Sequence, residues 1–133
     1  MKKLIFALLA CLCFGIAEAE SLFYRASFFA YKYVDDDNHW NDWSDWEPSK
    51  IVLSIDTDKE TITIYSEQEQ RYIILDRGDD DQDEAGGEQV EFSVIDQDGD
   101  TGVIRVRAQK NSVLQLYVEF NNIMWVYSGL QPL

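Results

Sequence analysis

The chain has 133 residues, with 11 Lys and Arg, 25 Asp and Glu and one His, for a net charge of −14. That length holds one domain at most. Such a surface excludes nucleic acid as a partner and disfavours anionic lipid, because it repels phosphates and has no basic stripe to offset the repulsion. Apolar residues at 46% and aromatics at 14% are enough for a packed core.

Residues 1–19 read as a cleaved secretory signal peptide. Met1-Lys2-Lys3 is a basic start, Leu4 to Ile16 is apolar and uncharged, and Ala17-Glu18-Ala19 is a small-x-small cleavage site. The apolar run is too short to span a bilayer, so no membrane insertion is expected after cleavage. The secreted form then starts at Glu20 and comprises residues 20–133, a single all-β domain of 114 residues with a net charge of −15. Both cysteines, Cys11 and Cys13, leave with the signal. Disulfides, thiol nucleophiles and thiolate metal sites leave with them. The expected location is outside the cytoplasm: periplasmic, cell-surface or extracellular.

Period-two alternation, rich in β-branched and aromatic residues, predicts eight strands. The first is Leu22 to Val34, with Leu22, Tyr24, Ala26, Phe28 and Ala30 on one face. Lys50 to Asp56 follows, with Ile51, Leu53 and Ile55 inward, then Thr61 to Ser66, with Ile62 and Ile64 inward. Gln70 to Asp76 carries Tyr72 and Ile74, and Gln89 to Asp96 carries Val90, Phe92 and Val94. Val103 to Ala108 sets Ile104 and Val106 against Arg105 and Arg107. Val113 to Phe120 sets Leu114, Leu116, Val118 and Phe120 against Gln115 and Glu119, and Ile123 to Tyr127 ends the series with Ile123, Trp125 and Tyr127 on one face. Short Asp-, Asn- and Gly-bearing links join most of them. Eight consecutive antiparallel strands form a meander, which closes as a small up-and-down, calycin-like barrel or packs as a two-sheet sandwich.

Two connections are long: 35–49 and 77–88. In a meander, successive links alternate between ends. The first long loop therefore shares an end with 66–69, 97–101 and 121–122, and the second lies opposite. The first loop contains Trp40, Trp43 and Trp46 at a spacing of three, interleaved with Asp42 and Asp45. Exposed indole faces stack on sugars or anchor protein partners, and the acids can bond hydroxyl groups. These five residues are the candidate binding site. The competing reading places at least two of the rings over the barrel end as a cap. The spacing resembles the tryptophan ladder of thrombospondin type 1 repeats. Those repeats need cysteines and a layered arginine strand, and residues 20–133 have no cysteine.

Other motifs are weaker. Asp96-Gln97-Asp98-Gly99-Asp100-Thr101-Gly102 has Thr and Arg where an EF-hand loop needs Gly and Glu, so it reads as a hairpin. The acidic run 79–84 reads as a solvated loop. One His permits neither a His-based zinc site nor a supported Ser-His-Asp triad, and no phosphate loop is present. No cofactor, metal or catalytic residue is expected.

The strings Trp43-Ser44-Asp45-Trp46, Ile62-Thr63-Ile64-Tyr65-Ser66 with Tyr72, Asp96-Gln97-Asp98-Gly99, Gln115-Leu116-Tyr117-Val118 and Trp125-Val126-Tyr127 carry a likeness. The chain resembles a group of small uncharacterised exported β-sheet proteins of gut Bacteroidetes-type bacteria and their phages. The resemblance implies an exported, cysteine-free β domain and supplies no activity or ligand. The sequence thus points to a small exported, non-catalytic module that contacts a glycan or protein through its Trp-rich loop. The rivals are a calycin-like carrier of a small apolar ligand and an inhibitor of a secreted hydrolase. A carrier needs small inward side chains to leave a cavity, whereas the inward sets here are large.

Overall fold

Alternation of bulky apolar with polar residues favours extended backbone, and every regular element among the described residues is a strand. The structure, a computed structural model, describes residues 21–78, 81–82 and 86–133. The expected signal 1–19 and residues 79, 80 and 83–85 of the acidic loop lie outside the described residues.

The strands are β1 (Ser21–Arg25), β2 (Phe28–Tyr33), β3 (Glu47–Pro48), β4 (Val52–Asp56), β5 (Thr61–Tyr65) and β6 (Gln70–Arg77). They continue as β7 (Asp81–Gln82), β8 (Glu88–Ile95), β9 (Thr101–Ala108), β10 (Leu114–Glu119), β11 (Ile123–Ser128) and β12 (Gln131–Pro132). All pair antiparallel in one sheet, in the order β12-β1-β4-β5-β6-β8-β9-β10-β11-β2-β3, with β7 beside β8. The path has eleven strands and two ends, β12 and β3. It is neither a closed ring of eight strands nor two separate sheets. The predicted count missed the two-residue strands β3, β7 and β12, which are too short to show alternation, and it treated the first strand as continuous.

That first strand breaks at Ala26-Ser27, and the break has a physical reason. The Ala26 N–H donates to Ile51 O at 2.8 Å and the Ser27 N–H donates to Ser128 O at 3.0 Å, so the backbone changes partners there. Gly129, with φ +66°, lies across the bend, where an added Cβ would come within 3.1 Å of Ser27 Cβ. One residue out of step reverses every later side chain. Leu22, Tyr24 and Ala26 face the core as expected, but Phe29 then turns inward in place of Phe28. Phe28 is exposed and Ala30 lies on the opposite face from Phe29.

The remaining strands follow the expected alternation, except that Ile123, at the start of β11, is exposed and the register of β6 shifts between Ile74 and Asp76. Leu53, Ile55, Ile62, Ile64, Tyr72, Val90, Phe92, Val94, Ile104, Val106, Leu116, Val118 and Tyr127 form one buried cluster, with Trp125, Phe120, Ile74 and Phe29 packed against it. A polar thread runs through its upper part. The Tyr72 hydroxyl donates to Gln70 Oε1 at 2.7 Å, and Gln70 Nε2 donates to the Ser66 and Tyr127 hydroxyls. Burial pushes the Tyr72 hydroxyl well above the ordinary tyrosine range, with Tyr127 and Asp96 adding to the effect.

Candidate functional site

The segment carrying the three tryptophans turns back at residues 35–39 and runs antiparallel along the free side of β2. Asp35 closes the turn, its Oδ1 accepting the N–H groups of Asp37 and His39. Beyond the turn, Trp40 bridges Val34, and the Asn41 N–H donates to Tyr33 O at 2.9 Å. The Ser44 N–H donates to Tyr31 O at 2.8 Å, and Glu47 pairs with Phe29. Three residues of this segment therefore pass two residues of β2, twice in succession. The middle residue of each triplet clamps the strand. Asn41 Oδ1 accepts the Tyr33 N–H at 2.7 Å, and Ser44 Oγ accepts the Tyr31 N–H at 2.9 Å. These side-chain acceptors replace carbonyls that a regular strand would have offered.

This three-to-two register explains the spacing of the indoles. Trp40, Trp43 and Trp46 occupy the same phase of the repeat and are 43%, 39% and 52% exposed. None belongs to the buried cluster, so the reading of these rings as a barrel cap fails. Asp42 and Asp45 are exposed, and neither carboxylate makes a hydrogen bond or ion pair among the described residues. Trp43 and Trp46 stand level with the middle of β2, not at its end. The expectation that the whole segment lies at the sheet end shared with 66–69, 97–101 and 121–122 therefore does not hold for these two rings.

Three residues that the sequence reading did not single out complete the face. Lys32 sits between the first two indoles, its Nζ 5.5 Å from the Trp40 ring and 4.8 Å from the Trp43 ring. A cation layered between tryptophans is thus present without any cysteine. On its far side Trp43 meets Tyr117 edge-on, at 6.0 Å between centroids. The Arg105 guanidinium lies 4.4 Å above Tyr117 and is held by Glu119 at 2.7 Å. Tyr117, Val126 and Ala30 are register partners across β10, β11 and β2. Trp43 spans that row, and the two small side chains beneath it are only 2% and 1% exposed. Each cation–aromatic contact at such a surface is worth about 0.5–1 kcal/mol. Lys32, Tyr117 and Arg105 come from three strands; the sequence showed Tyr117 and Arg105 in the outward phase, whereas Lys32 fell in the phase of Phe28 and Ala30, which the expected continuous strand placed with the core-facing Leu22 and Tyr24.

Aromatic residues at the nearby sheet end are arranged differently. Phe120 stacks on Trp125 with centroids 6.0 Å apart and meets Tyr72 at 6.4 Å. Asp96, Asp100, Asn121 and Asn122 rim a shallow cleft of about 560 Å³ over these rings. Asp96 is engaged in the turn, since its Oδ1 accepts the N–H groups of Asp98 and Asp100 at 2.9 Å. Asp56 does the same for Asp58 and Lys59. Asp96, the first acid of the EF-hand-like string, is therefore a turn-closing acceptor. No cluster of three or more metal-ligating side chains occurs among the described residues. No protein-family model, curated protein or solved structure matches this chain.

Proposed function

We propose that the protein is a small exported binding module without catalytic activity, which contacts a glycan or protein partner through the face built by Trp40, Trp43 and Trp46. The observation that carries this reading is the register of the three indoles. They are held in phase along β2 by side-chain clamps, and each stays two-fifths to one-half exposed. A contiguous run of exposed indoles has a cost in solubility, and contact with a partner is a common reason to keep it. The flanking Asp42 and Asp45 carboxylates are free to accept hydrogen bonds.

The inward side chains fill the core, which favours surface binding over a carrier of small apolar ligands. Export through a signal ending at Ala19, in a bacterial or phage setting, belongs to the same proposal.

Trp46→Ala tests the site. The variant should fold and be secreted with Glu20 at its N-terminus, yet fail to retain the glycan or protein that the wild-type domain retains from the native growth medium or envelope. Equal retention by the variant would overturn the proposed face.

A further inference from the structure

We infer that the cleft over Tyr72, Phe120 and Trp125 is a second binding site, which takes a small alkylated ammonium compound. It is separate from the indole face and does not depend on it.

The cleft has the size and the grading of a small-molecule site. Its volume of about 560 Å³ falls within the usual range of about 300–1,000 Å³. Among its lining residues Tyr72 is buried, Phe120 and Trp125 are half-buried, and Asp100, Asn121 and Asn122 are exposed. The cleft thus runs from an aromatic base to a polar rim. The three rings come from separate stretches of the chain and meet there, with Phe120 6.0 Å from Trp125 and 6.4 Å from Tyr72 between centroids. The Trp125 N–H is covered, so that ring offers an incoming group no hydrogen-bond donor.

The polar groups set the charge of the occupant. No Lys, Arg or His lines the cleft. Asp96 is fixed in place, because its Oδ1 accepts the N–H groups of Asp98 and Asp100, and no ion pair among the described residues balances its charge. The Asp100 carboxylate makes neither a hydrogen bond nor an ion pair among the described residues. Burial first, then Tyr127 and Asp96, push the Tyr72 hydroxyl upward, so the Asp96 charge reaches the base of the cleft. An anion is repelled by this arrangement. A neutral ligand would strip water from the two carboxylates without returning an opposite charge. A cation returns that charge, and aromatic rings add their own attraction for it. Alkyl groups on the nitrogen suit the apolar base, whereas a bare ammonium is strongly hydrated and would have to shed that water against three rings.

The test uses the secreted domain, choline as the probe, and its uncharged carbon isostere dimethylbutanol as the control, at a constant ionic strength of about 150 mM. The expected result is a saturable shift of the Trp125 indole N–H resonance, with the isostere binding about tenfold more weakly. Asp96→Asn keeps an Oδ1 acceptor for the turn, removes the charge, and should weaken choline about tenfold while leaving the isostere unchanged. If that variant does not fold, Asp100→Asn carries the same test. Asp58→Asn removes an exposed acid outside the cleft and should bind choline as the wild type does, which separates the site from bulk attraction to a negative surface. Equal binding of choline and its isostere, or an unchanged choline affinity in the cleft variant, would overturn the inference. So would a shift confined to Trp40, Trp43 and Trp46, or no saturable shift at all. If methyl glucoside moves Trp125 at lower concentration than choline does, the cleft is a sugar site and the ammonium reading falls.

Discussion

Gly102 offers a sharp test of how the sheet end is closed. It faces inward beside Val94 and opposite Phe120, whose ring lies across its bare Cα. A Cβ there would sit 2.7 Å from the Glu119 carbonyl oxygen and 2.9 Å from Phe120 Cε1. The ring can swing away, but the carbonyl cannot easily recede, because Glu119 is paired with Val103 on one side and Met124 on the other. Overpacking of this kind costs about 1–3 kcal/mol. For a domain near this size, that lowers the melting temperature by roughly 4–12 °C. Gly99→Ala is the control. Its φ of +87° makes any side chain strained, but nothing lies within 4 Å of the added carbon. Its cost should be about 1–2 kcal/mol, with no change at Phe120. Urea unfolding gives the two stabilities, and near-ultraviolet circular dichroism reads the Phe120–Trp125 stack. Gly102→Ala should lose stability and alter the aromatic signal, whereas Gly99→Ala should only lose stability. A Gly102→Ala variant with wild-type stability and an unaltered aromatic spectrum would refute the packing argument.

Three further outcomes follow from the charges. The Lys59 N–H first, then the Ser21 hydroxyl and the Asp58 N–H, hold the Asp56 carboxyl below its ordinary value against a partial desolvation. Its stabilisation is present above the unfolded carboxyl value of about 3.9 and fades as pH falls through the lower folded value. The stability gap between wild type and Asp56→Asn should therefore close in acid, and a gap constant from about pH 2 to 6 would contradict this. Burial raises the hydroxyls of Tyr72 and Tyr127, which favours the fold below about pH 10 and ceases to do so above it. Of the seven tyrosines, these two should ionise only with alkaline unfolding, as read by ultraviolet titration. If all seven ionise while the fold persists, their burial is wrong. With a net charge of −14, modest salt should raise the melting temperature, and Ca²⁺ should stabilise no more than Mg²⁺ at equal ionic strength. A specific Ca²⁺ gain would restore the acidic turns as metal sites.

The inner faces of the central strands were legible because their alternation is uninterrupted. Val90, Phe92 and Val94, or Ile104 and Val106, can face the core in only one phase. The first strand was not legible. Phe28 and Phe29 are both apolar, so either phase satisfies the pattern, and only the backbone bonds at Ala26-Ser27 select one. The tryptophan segment lacks period two and therefore read as a loop. Its triplets, Trp40-Asn41-Asp42, Trp43-Ser44-Asp45 and Trp46-Glu47-Pro48, were the visible trace of the three-to-two pairing with β2. The five candidate residues are brought to one segment, but the cations that order the rings come from elsewhere in the chain. Arg105 appears in sequence only as the polar half of its strand, and Lys32 falls in the phase of Phe28 and Ala30, so the continuous first strand hid its outward position.

The central claim is that partner contact falls on the outer indole face and not on the aromatic end of the sheet. The chain has four tryptophans, and each gives one indole N–H resonance in a nitrogen-15 correlation spectrum. On addition of the retained partner, the account predicts that Trp46 and Trp43 shift together while Trp125, stacked on Phe120, stays in place. A shift of Trp125 with Trp43 and Trp46 unmoved would contradict it.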